Sequence, residues 1–446
     1  MDIPWHEYSG HGNCPITEAD LTEKASIVGR VGLMLLSCGT GAWRVRSSMN
    51  TISQNLGITC STDIGLMSIE YTCFDGTSGF SQSLCLTNTG VNTSKLNRLE
   101  RFIGEFSTVG KTMTGEQPKE QDIIKLNTNE NPYPPAPEVL NKQVELENLR
   151  LYPDPAATKL VDAIAEYHGV DKNQVFVGVG SDDVLAMSFM TFFNSGKPIF
   201  FPDITYSFYD VWADMLRIPY ETKPLDADFR IKASDYYGEN GGVVFPNPNA
   251  PTGVEMPLEE VEDIIRHNPD VIVIVDEAYV DFGGQTALPL LKEFDNLLVV
   301  RTFSKSRSMA GLRIGYALGN EKLIGYLNDV KYSYNSYTMD LTSIELGTCS
   351  IKADDYFKEM VKKVVDTRTW FVKEIEALGF TVLPSSANFV FATHKTIPAK
   401  EIFENAREHK IFVRYFDKPR IDNYLRISIG TDKEMQLFVA FLKTLL

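Results

Sequence analysis

The sequence predicts an α/β fold in which a mostly parallel sheet is flanked by helices, with a smaller α+β domain after it and a small α+β unit before it. From residue 122 onward, apolar strand segments alternate with amphipathic helical segments, which is typical of a parallel sheet covered by helices. The strand segments are largely continuous apolar runs, as expected of strands that are buried on both faces. The length of 446 residues exceeds one ordinary domain of roughly 100 to 200 residues, so two or three structural units are expected.

Composition and charge exclude several classes of function. The chain is 43% hydrophobic and 23% charged, which is the balance of a folded globular protein. Its 43 Lys and Arg against 59 Asp and Glu give a net charge of −16, which argues against nucleic acid or an anionic membrane surface as a partner. No run reaches the roughly 18 apolar residues of a membrane span, and the first residues lack the pattern of a secretory signal. We therefore expect a cytoplasmic protein without a membrane span.

The cysteines show neither a CxxC pair nor the spacing of metal ligands. We expect reduced thiols, no disulfide scaffold and no metal site. The six cysteines are Cys14, Cys38, Cys60, Cys73, Cys85 and Cys349.

The first unit is predicted to span residues 1–108. Apolar periodicity predicts helices over 20–36 and 42–55, short strands within 58–88, and a third amphipathic helix over 94–106.

A polar stretch over residues 106–122 contains glycine and proline without apolar periodicity, which is typical of a linker. We therefore assign residues 109–150 to an arm and linker, 151–344 to a large domain and 345–446 to a small domain.

Five strand segments of the large domain each lead into polar residues. Because open parallel sheets bind ligands beyond the carboxyl ends of their strands, the chemistry is expected at these ends. The segments are residues 174–180, 198–203, 241–247, 270–276 and 296–304.

The fourth segment ends in Asp276, followed by Glu277, Ala278 and Tyr279. A buried carboxylate needs a cationic partner. A protonated pyridinium nitrogen is one such partner, and an aspartate there keeps the ring an electron sink. A helix N-cap is the alternative role for an aspartate after a strand.

The fifth segment leads into Ser304 and Lys305, and Arg313 follows nearby. Neighbouring cations and partial desolvation lower the pKa of a lysine, which yields the neutral amine that forms a Schiff base with an aldehyde. Ser304 and Arg313 suit the phosphate of such an aldehyde cofactor. A solvated loop lysine is the alternative when Lys305 is taken alone.

The other three strand ends supply complementary groups. Gly180 and Ser181 open a predicted helix whose free N–H groups can receive a phosphate. Tyr206 provides an aromatic face for a planar ring, and the loop around Asn249 presents an amide that can donate to a ring oxygen. An ordinary turn and a packing tyrosine are the alternatives, but five strand ends that each supply one part favour a cofactor site.

Several motifs of residues 110–446 closely resemble fold-type I aminotransferases that use pyridoxal 5′-phosphate, and within them the sequence is similar to histidinol-phosphate aminotransferases. The resemblance implies transfer of an amino group between L-histidinol phosphate and 2-oxoglutarate, giving imidazole acetol phosphate and glutamate in histidine biosynthesis. It also implies a homodimer. The motifs are KLNTNENPYPPAP (125–137), LYPDP (151–155), VDEAYVDF (275–282), RTFSKSRSMAGLRIGY (301–316) and YLRISIGT (424–431).

The resemblance also implies residue roles. Lys305 would be the Schiff-base lysine and general base, Asp276 the partner of the pyridinium nitrogen, and Tyr279 a donor to the phenolic oxygen of the ring. Tyr206 would stack on the ring, and Tyr152 would reach the cofactor phosphate of the partner subunit. The cofactor phosphate would be surrounded by Ser181, Asp182, Ser304 and Arg313, and the substrate by Asn129, Asn388, Arg414 and Arg426.

Two departures from the family pattern stand out. Many relatives have asparagine immediately before Pro-Thr-Gly, where this chain has Ala250, so Asn249 is taken for the ring-oxygen contact. Relatives also often carry a Tyr-x-Pro-Gly segment near their start, where this chain has Thr112 followed by Met-Thr-Gly. A hydroxyl for the substrate phosphate is therefore missing or comes from elsewhere.

Residues of about 20–108 resemble the N-terminal part of the threonine/serine exporter family. That family continues into membrane helices, whereas this chain continues into the part that resembles an aminotransferase, so no transport is expected. The unit is either a fused remnant or a module for amino-acid sensing or partner docking, for which Trp43, Arg44 and Arg46 are the candidate residues.

Three other functions, from two classes of protein, stay open. A threonine-phosphate decarboxylase or an aromatic aminotransferase would share the same site plan. A regulatory amino-acid-binding protein with a degenerate enzyme body is the alternative from another class.

Overall fold

The structure is a computed structural model that describes residues 19–37, 41–65, 68–86, 117–118 and 122–445. The chain divides into two compact units, Met1–Thr114 and Gly115–Leu446. The predicted helix over 94–106, the departure at Thr112 and nearly all of the predicted linker lie outside the described residues. The finer boundaries at residues 108, 150 and 344 stay predictions.

The first unit combines two helices with a three-stranded antiparallel sheet in the order β1-β2-β3. Alternate residues of the central strand, among them Ile69 and Tyr71, are buried with Val28 and Met49 of the helices. The elements are α1 (Leu21–Ser37), α2 (Ala42–Asn55), β1 (Thr59–Ile64), β2 (Ser68–Phe74) and β3 (Gly79–Cys85).

The three residues proposed for sensing or docking lie exposed on α2. Trp43 is 69% exposed, and the guanidinium of Arg44 lies 5.3 Å from the centre of its ring. Arg46 is also exposed. Their role stays a prediction.

A seven-stranded sheet forms the centre of the second unit. The strand order is β5-β11-β10-β9-β8-β6-β7, and only β11 runs antiparallel to its neighbours. The strands are β5 (Val175–Gly178), β6 (Ile199–Pro202), β7 (Tyr220–Lys223), β8 (Val243–Pro246), β9 (Val273–Asp276), β10 (Leu297–Thr302) and β11 (Gly315–Gly319).

The five predicted strand segments are confirmed as β5, β6, β8, β9 and β10. Two strands of the seven-stranded sheet were not predicted. β7 is an exposed edge strand of sequence YETK, and an edge strand without a buried face carries no apolar run. β11 is a short buried strand that begins and ends with glycine, a residue that is depleted in strands.

Helices flank the central sheet and continue into the C-terminal region. The first helices are α3 (Pro137–Leu140), α4 (Thr158–His168), α5 (Ser181–Phe192), α6 (Tyr209–Leu216) and α7 (Leu258–Arg266). The later helices are α8 (Glu321–Tyr334), α9 (Leu341–Lys352), α10 (Asp354–Ala377), α11 (Ala399–Glu408) and α12 (Asp432–Leu445).

The C-terminal region contains a four-stranded antiparallel sheet in the order β12-β13-β16-β15, as an α+β domain requires. Phe371 of α10 and Phe438 of α12 are fully buried in the same hydrophobic core as Phe389 of this sheet. The short strand β4 (Ile124–Lys125) of the arm pairs in parallel with β14. The remaining strands are β12 (Phe380–Val382), β13 (Phe389–His394), β14 (Ile411–Phe412), β15 (Arg414–Tyr415) and β16 (Leu425–Ser428).

No helix within the described parts of the chain is long and apolar enough to cross a membrane.

Gly315 of β11 packs directly against the turn that starts α5. A Cβ atom built on Gly315 would overlap the backbone of Gly180 and Ser181. Gly180 itself adopts a φ of 87°, which L side chains rarely adopt. The turn therefore depends on the absence of a side chain at both positions.

We expect Gly315→Ala to lower the free energy of unfolding by about 1–3 kcal/mol, because the new methyl group must displace this turn. Gly325→Ala is the matched control, since it lies within α8 with open space around its Cβ position. That control should be neutral or stabilising by up to about 1 kcal/mol. Urea unfolding of both variants measures the difference, and equal stabilities would contradict the expectation.

Candidate active site

A cavity of about 110 Å³ lies at the carboxyl ends of the parallel strands. Eight of the predicted site residues line it. The lining residues are Ser181, Asp182, Tyr206, Pro246, Ala250, Asp276, Ala278, Tyr279, Thr302, Ser304, Lys305 and Arg313.

Asp276 ends β9 as a buried carboxyl group, 5% exposed. The hydroxyl of Tyr209 donates to its Oδ2 at 3.0 Å, and the backbone N–H of Ala278 donates to its Oδ1 at 3.2 Å. Burial raises the pKa of Asp276 to about 7, and the two hydrogen bonds offset only part of that effect. The site therefore favours a cationic group beside Asp276, which would restore the ionised carboxylate.

Lys305 is half-buried just beyond β10, and its amine faces the arm segment of residues 127–131. Its Nζ donates to the carbonyl oxygen of Thr128 at 3.2 Å and lies 5.6 Å from the centre of the Tyr279 ring. The side-chain amide of Asn131 donates to the carbonyl oxygens of Lys305 and Ser306, at 3.1 and 3.2 Å. The arm segment thus contacts both the amine and the main chain of this lysine.

A cation, a hydroxyl and a helix N-terminus meet at one side of the cavity. Arg313 donates to the Ser304 hydroxyl at 3.3 Å, and α5 begins at Ser181. Arg313 also pairs with Asp182 at 3.2 Å. These groups suit an anion such as a phosphate, for which Asp182 contributes the backbone at the helix start rather than its carboxylate.

Tyr206 lines the cavity with its ring, and its hydroxyl donates to Asp182 at 2.7 Å. Burial raises the pKa of Tyr206 well above its usual range, so the ring stays neutral. A neutral aromatic face held by one hydrogen bond can accept a planar ring.

Tyr279 connects the cavity to the substrate residues predicted from the sequence. Its hydroxyl accepts a hydrogen bond from the Asn129 amide at 2.9 Å, and its ring packs edge-on against Phe389 at 5.0 Å. Asn129 is held in turn by Ser428, which exchanges two hydrogen bonds with it, and by the Asn388 amide, which donates to its carbonyl oxygen at 2.9 Å. Asn129 and Asn388 are therefore brought together next to Tyr279.

The structure does not bring Asn249 to the cavity lining. Its amide donates to the carbonyl oxygen of Ile204 and to the hydroxyl of Thr252, both at 3.0 Å. Its side-chain oxygen accepts from Thr205 at 3.2 Å. Both amide hydrogens are thus used, one within its own loop and one by the segment that follows β6, and Ala250 lines the cavity instead.

Arg414 and Arg426 are cross-strand partners on β15 and β16. One nitrogen of Arg426, Nη2, donates to the carbonyl oxygen of Asn127 at 3.0 Å, and its buried Nε has no hydrogen-bond partner among the described residues. Burial lowers the pKa of Arg426 to about 10, so the side chain is still charged at neutral pH. A buried, incompletely paired guanidinium suits an anionic ligand.

Tyr152 lies away from the cavity lining. It is 82% exposed, and its ring centre lies 4.7 Å from that of Tyr337. An exposed pair of tyrosines is consistent with the predicted contact to a partner subunit, which stays a prediction.

Several supporting residues were not found by sequence reasoning. Asn131 lies inside the motif of residues 125–137 and Tyr209 lies three residues after Tyr206, but their sequence positions gave no sign of their contacts. Arg301 gave a clearer signal, because it is a charged residue in a continuous apolar strand. It donates to Glu277 at 2.8 and 3.0 Å and lies 3.3 Å from Asp281.

The Arg301 cluster reaches the lysine loop. Asp281 accepts a hydrogen bond from the hydroxyl of Ser306, the residue that follows Lys305. Lys305 is therefore anchored through Asn131 on one side and through Ser306 on the other.

Two family models match the chain. The model for aminotransferase class I and II matches residues 121–442, more than half of the chain. The model for the threonine/serine exporter matches residues 26–140, which confirms the resemblance of the first unit.

Similar curated proteins are histidinol-phosphate aminotransferases. The protein of that name from Clostridium botulinum is 50% identical over 334 residues, which cover 74% of this chain and 94% of that protein. The one from Lactococcus lactis is 48% identical over 338 residues, which cover 75% of this chain and 94% of that protein.

A solved structure of a similar protein has the same fold. The histidinol-phosphate aminotransferase from Sinorhizobium meliloti, in complex with pyridoxal-5′-phosphate, superposes with a TM-score of 0.65 at 25% identity. The superposition covers 73% of this chain and 92% of that one. The chain therefore belongs to the aminotransferase class I and II family and, within it, to the histidinol-phosphate aminotransferases.

Proposed function

We propose that this chain transfers an amino group between L-histidinol phosphate and 2-oxoglutarate with pyridoxal 5′-phosphate as its cofactor. The observation that carries the proposal is one small cavity that combines a lysine amine, a buried carboxyl group and an anion-binding side. The substrate comes from the names of the relatives, which are about half identical to this chain over nearly their whole length.

The residues present fit the proposed cofactor. The raised pKa of Asp276 indicates that its carboxylate needs a cationic partner, and a protonated ring nitrogen would be that partner. Ser304, Arg313 and the start of α5 would hold the phosphate, and Tyr206 would cover one face of the ring. When bound, pyridoxal phosphate supplies an aldehyde and a ring that withdraws electrons from the reacting carbon.

The side chains then have distinct tasks. Lys305 would provide the amine that holds the aldehyde of the cofactor, and the same amine would carry the proton to and from the α carbon of the substrate. Asp276 holds a proton at the ring nitrogen. Thr128 and Asn131 fix the position of the Lys305 amine and main chain, and this limits the distance over which the proton moves.

We further propose a cytoplasmic homodimer in which Tyr152 contacts the cofactor phosphate of the partner subunit. The exposure of Tyr152 supports this assignment, because Leu146, Leu149 and Leu151, which precede it in the sequence, are also exposed, and an exposed group of large apolar side chains marks a protein contact.

The decisive experiment is the visible absorption spectrum of the protein with pyridoxal phosphate. L-histidinol phosphate should bleach the band of the lysine-bound cofactor, and 2-oxoglutarate should restore it. Lys305→Ala should stay folded, lose the band and lose transamination, because no other lysine lines the described cavity.

Each other outcome has a distinct meaning. A band that ignores histidinol phosphate but responds to phosphothreonine with release of carbon dioxide would favour a decarboxylase. A preference for phenylpyruvate would favour an aromatic aminotransferase. A wild-type protein that forms no band would contradict the proposal as a whole.

Asp276→Asn tests the buried carboxyl group in the cofactor-free protein. The pKa of Asp276 is raised from 3.8 to about 7 by folding, so the wild type loses stability as pH rises through this window. The loss is about 1.4 kcal/mol for each pH unit, and the asparagine variant lacks it. Urea unfolding at pH 5 and pH 8 measures the free energy of unfolding of both proteins. The stability of the variant relative to the wild type should be higher at pH 8 than at pH 5, and an equal difference at both pH values would refute the assignment.

Arg426→Met tests the anion site. A hydrogen-bonded charge is worth about 1.5–3 kcal/mol, so we expect KM to rise about 10- to 100-fold for both histidinol phosphate and 2-oxoglutarate. Arg266→Met is the control, since Arg266 is an exposed partner of Glu262 on α7. An unchanged KM for both substrates in Arg426→Met would remove this residue from the substrate site.

A further inference from the structure

Two cysteines of the first unit face each other on neighbouring strands. The register of β1 and β2 pairs Cys60 with Cys73. Both lie on the inward face of the sheet, where Cys73 is fully buried and Cys60 is half-buried on the edge strand. Their positions are fixed by the alternation of each strand and not by a flexible loop.

The hairpin geometry decides which kind of pair they form. The N–H of Gly65 donates to the carbonyl oxygen of Ser68 at 2.9 Å, so these two residues are a hydrogen-bonded pair. Hydrogen-bonded and non-hydrogen-bonded pairs alternate along an antiparallel ladder. Cys60 and Cys73 lie five positions further along and are therefore a non-hydrogen-bonded pair, whose Cα atoms are about 4.5 Å apart.

That spacing permits a disulfide without moving the strands. Disulfides occur at Cα separations of about 4.4–6.8 Å, so this pair lies at the short end of the range. Bonds away from the preferred geometry are more easily reduced than structural disulfides. The pair is thus suited to reversible oxidation.

The two thiols differ in reactivity. A hydrogen bond from the Cys73 thiol to the Cys60 sulfur lowers the pKa of Cys60, which favours its thiolate. The same interaction, together with burial, raises the pKa of Cys73. Cys60 is also the more accessible of the two, so it is the thiol that an external oxidant reaches first.

We propose that Cys60 and Cys73 form an oxidation site that reacts with a low-molecular-weight disulfide and closes to an intramolecular disulfide. The Cys60 thiolate attacks one sulfur of the small disulfide, whose S–S bond breaks and releases one thiolate. Cys73 then loses its proton, attacks the Cys60 sulfur and displaces the second thiolate. Two protein thiols are oxidised, the small disulfide is reduced to two thiols, and the two protons pass to the released thiolates.

The test is to expose the full chain to oxidised glutathione, block the remaining thiols by alkylation, and map the peptides. Trypsin and Asp-N together separate the three cysteines of this region into peptides 47–62, 63–74 and 75–95, by cleavage after Arg46 and Lys95 and before Asp63 and Asp75. We expect peptides 47–62 and 63–74 to be joined by a disulfide, and dithiothreitol to separate them.

Matched variants identify the order of the steps. Cys85→Ser should leave the link intact, because Cys85 lies on β3 opposite Ser68. Cys73→Ser should stop at glutathione attached to Cys60, and Cys60→Ser should leave Cys73 unmodified. Circular dichroism verifies that each variant is folded.

The wild-type map alone can overturn the proposal, whatever the variants do. The proposal is wrong if Cys60 and Cys73 are both found alkylated, and therefore still reduced, after a treatment that modifies the exposed Cys85. A link that joins either residue to Cys85, or glutathione that remains on Cys60 of the wild type, would also overturn the proposal.

Discussion

The burial of Asp276 at the end of β9 is the constraint on which the rest of the site depends. Parallel strands on both sides and helices on both faces remove this carboxyl group from water, and its ionised form is then unfavourable. Tyr209 and the backbone N–H of Ala278 each supply a hydrogen bond, but no cationic side chain among the described residues pairs with this carboxyl group. Under the proposed function, a protonated ring nitrogen would satisfy this requirement, and the ring that carries it would gain the electron demand that amino-group transfer needs.

The position of the reactive amine depends on a segment distant in sequence. Residues 127–131 contact the Lys305 amine, the Lys305 main chain and Tyr279, while Asn129 of the same segment exchanges hydrogen bonds with Ser428. Ser428 lies on the same strand, β16, as Arg426. The hydrogen bonds of this segment therefore connect Arg426 to Lys305, and under the proposed function they would link substrate binding to the position of the Lys305 amine.

The sequence predicted what local patterns determine. Continuous apolar runs located the five parallel strands, and polar residues at their ends located Asp276, Lys305 and Arg313. It did not predict β11, whose pairing with both β5 and β10 follows from the tertiary arrangement. Nor did it predict the hydrogen bonds of the Asn249 amide, because one of its two acceptors, the carbonyl oxygen of Ile204, lies 45 residues away in the sequence.

Contacts over long sequence separations were equally inaccessible. The bonds that join Asn129 to Tyr279 and Ser428 span 150 and 299 residues, and no periodicity encodes them. A charged residue inside an apolar strand indicates that a partner of opposite charge lies nearby, since burial of an unpaired charge is costly. Arg301 agrees with this expectation, because it pairs with the buried Glu277 and the half-buried Asp281. The same reasoning applies to Arg426, with the difference that the described residues leave its Nε without a hydrogen-bond partner.

Under the proposed function, the pair of Arg414 and Arg426 would explain how one site serves two different anions. Directly opposed cross-strand residues bring like charges close together, which is unfavourable in the absence of a ligand. Any anion placed between the two guanidinium groups relieves this repulsion, whether it is a phosphate monoester or a carboxylate. Discrimination between substrates then has to come from the remainder of each molecule, and the aromatic faces of Phe389 and Phe416 beside Arg426 supply an apolar surface for it.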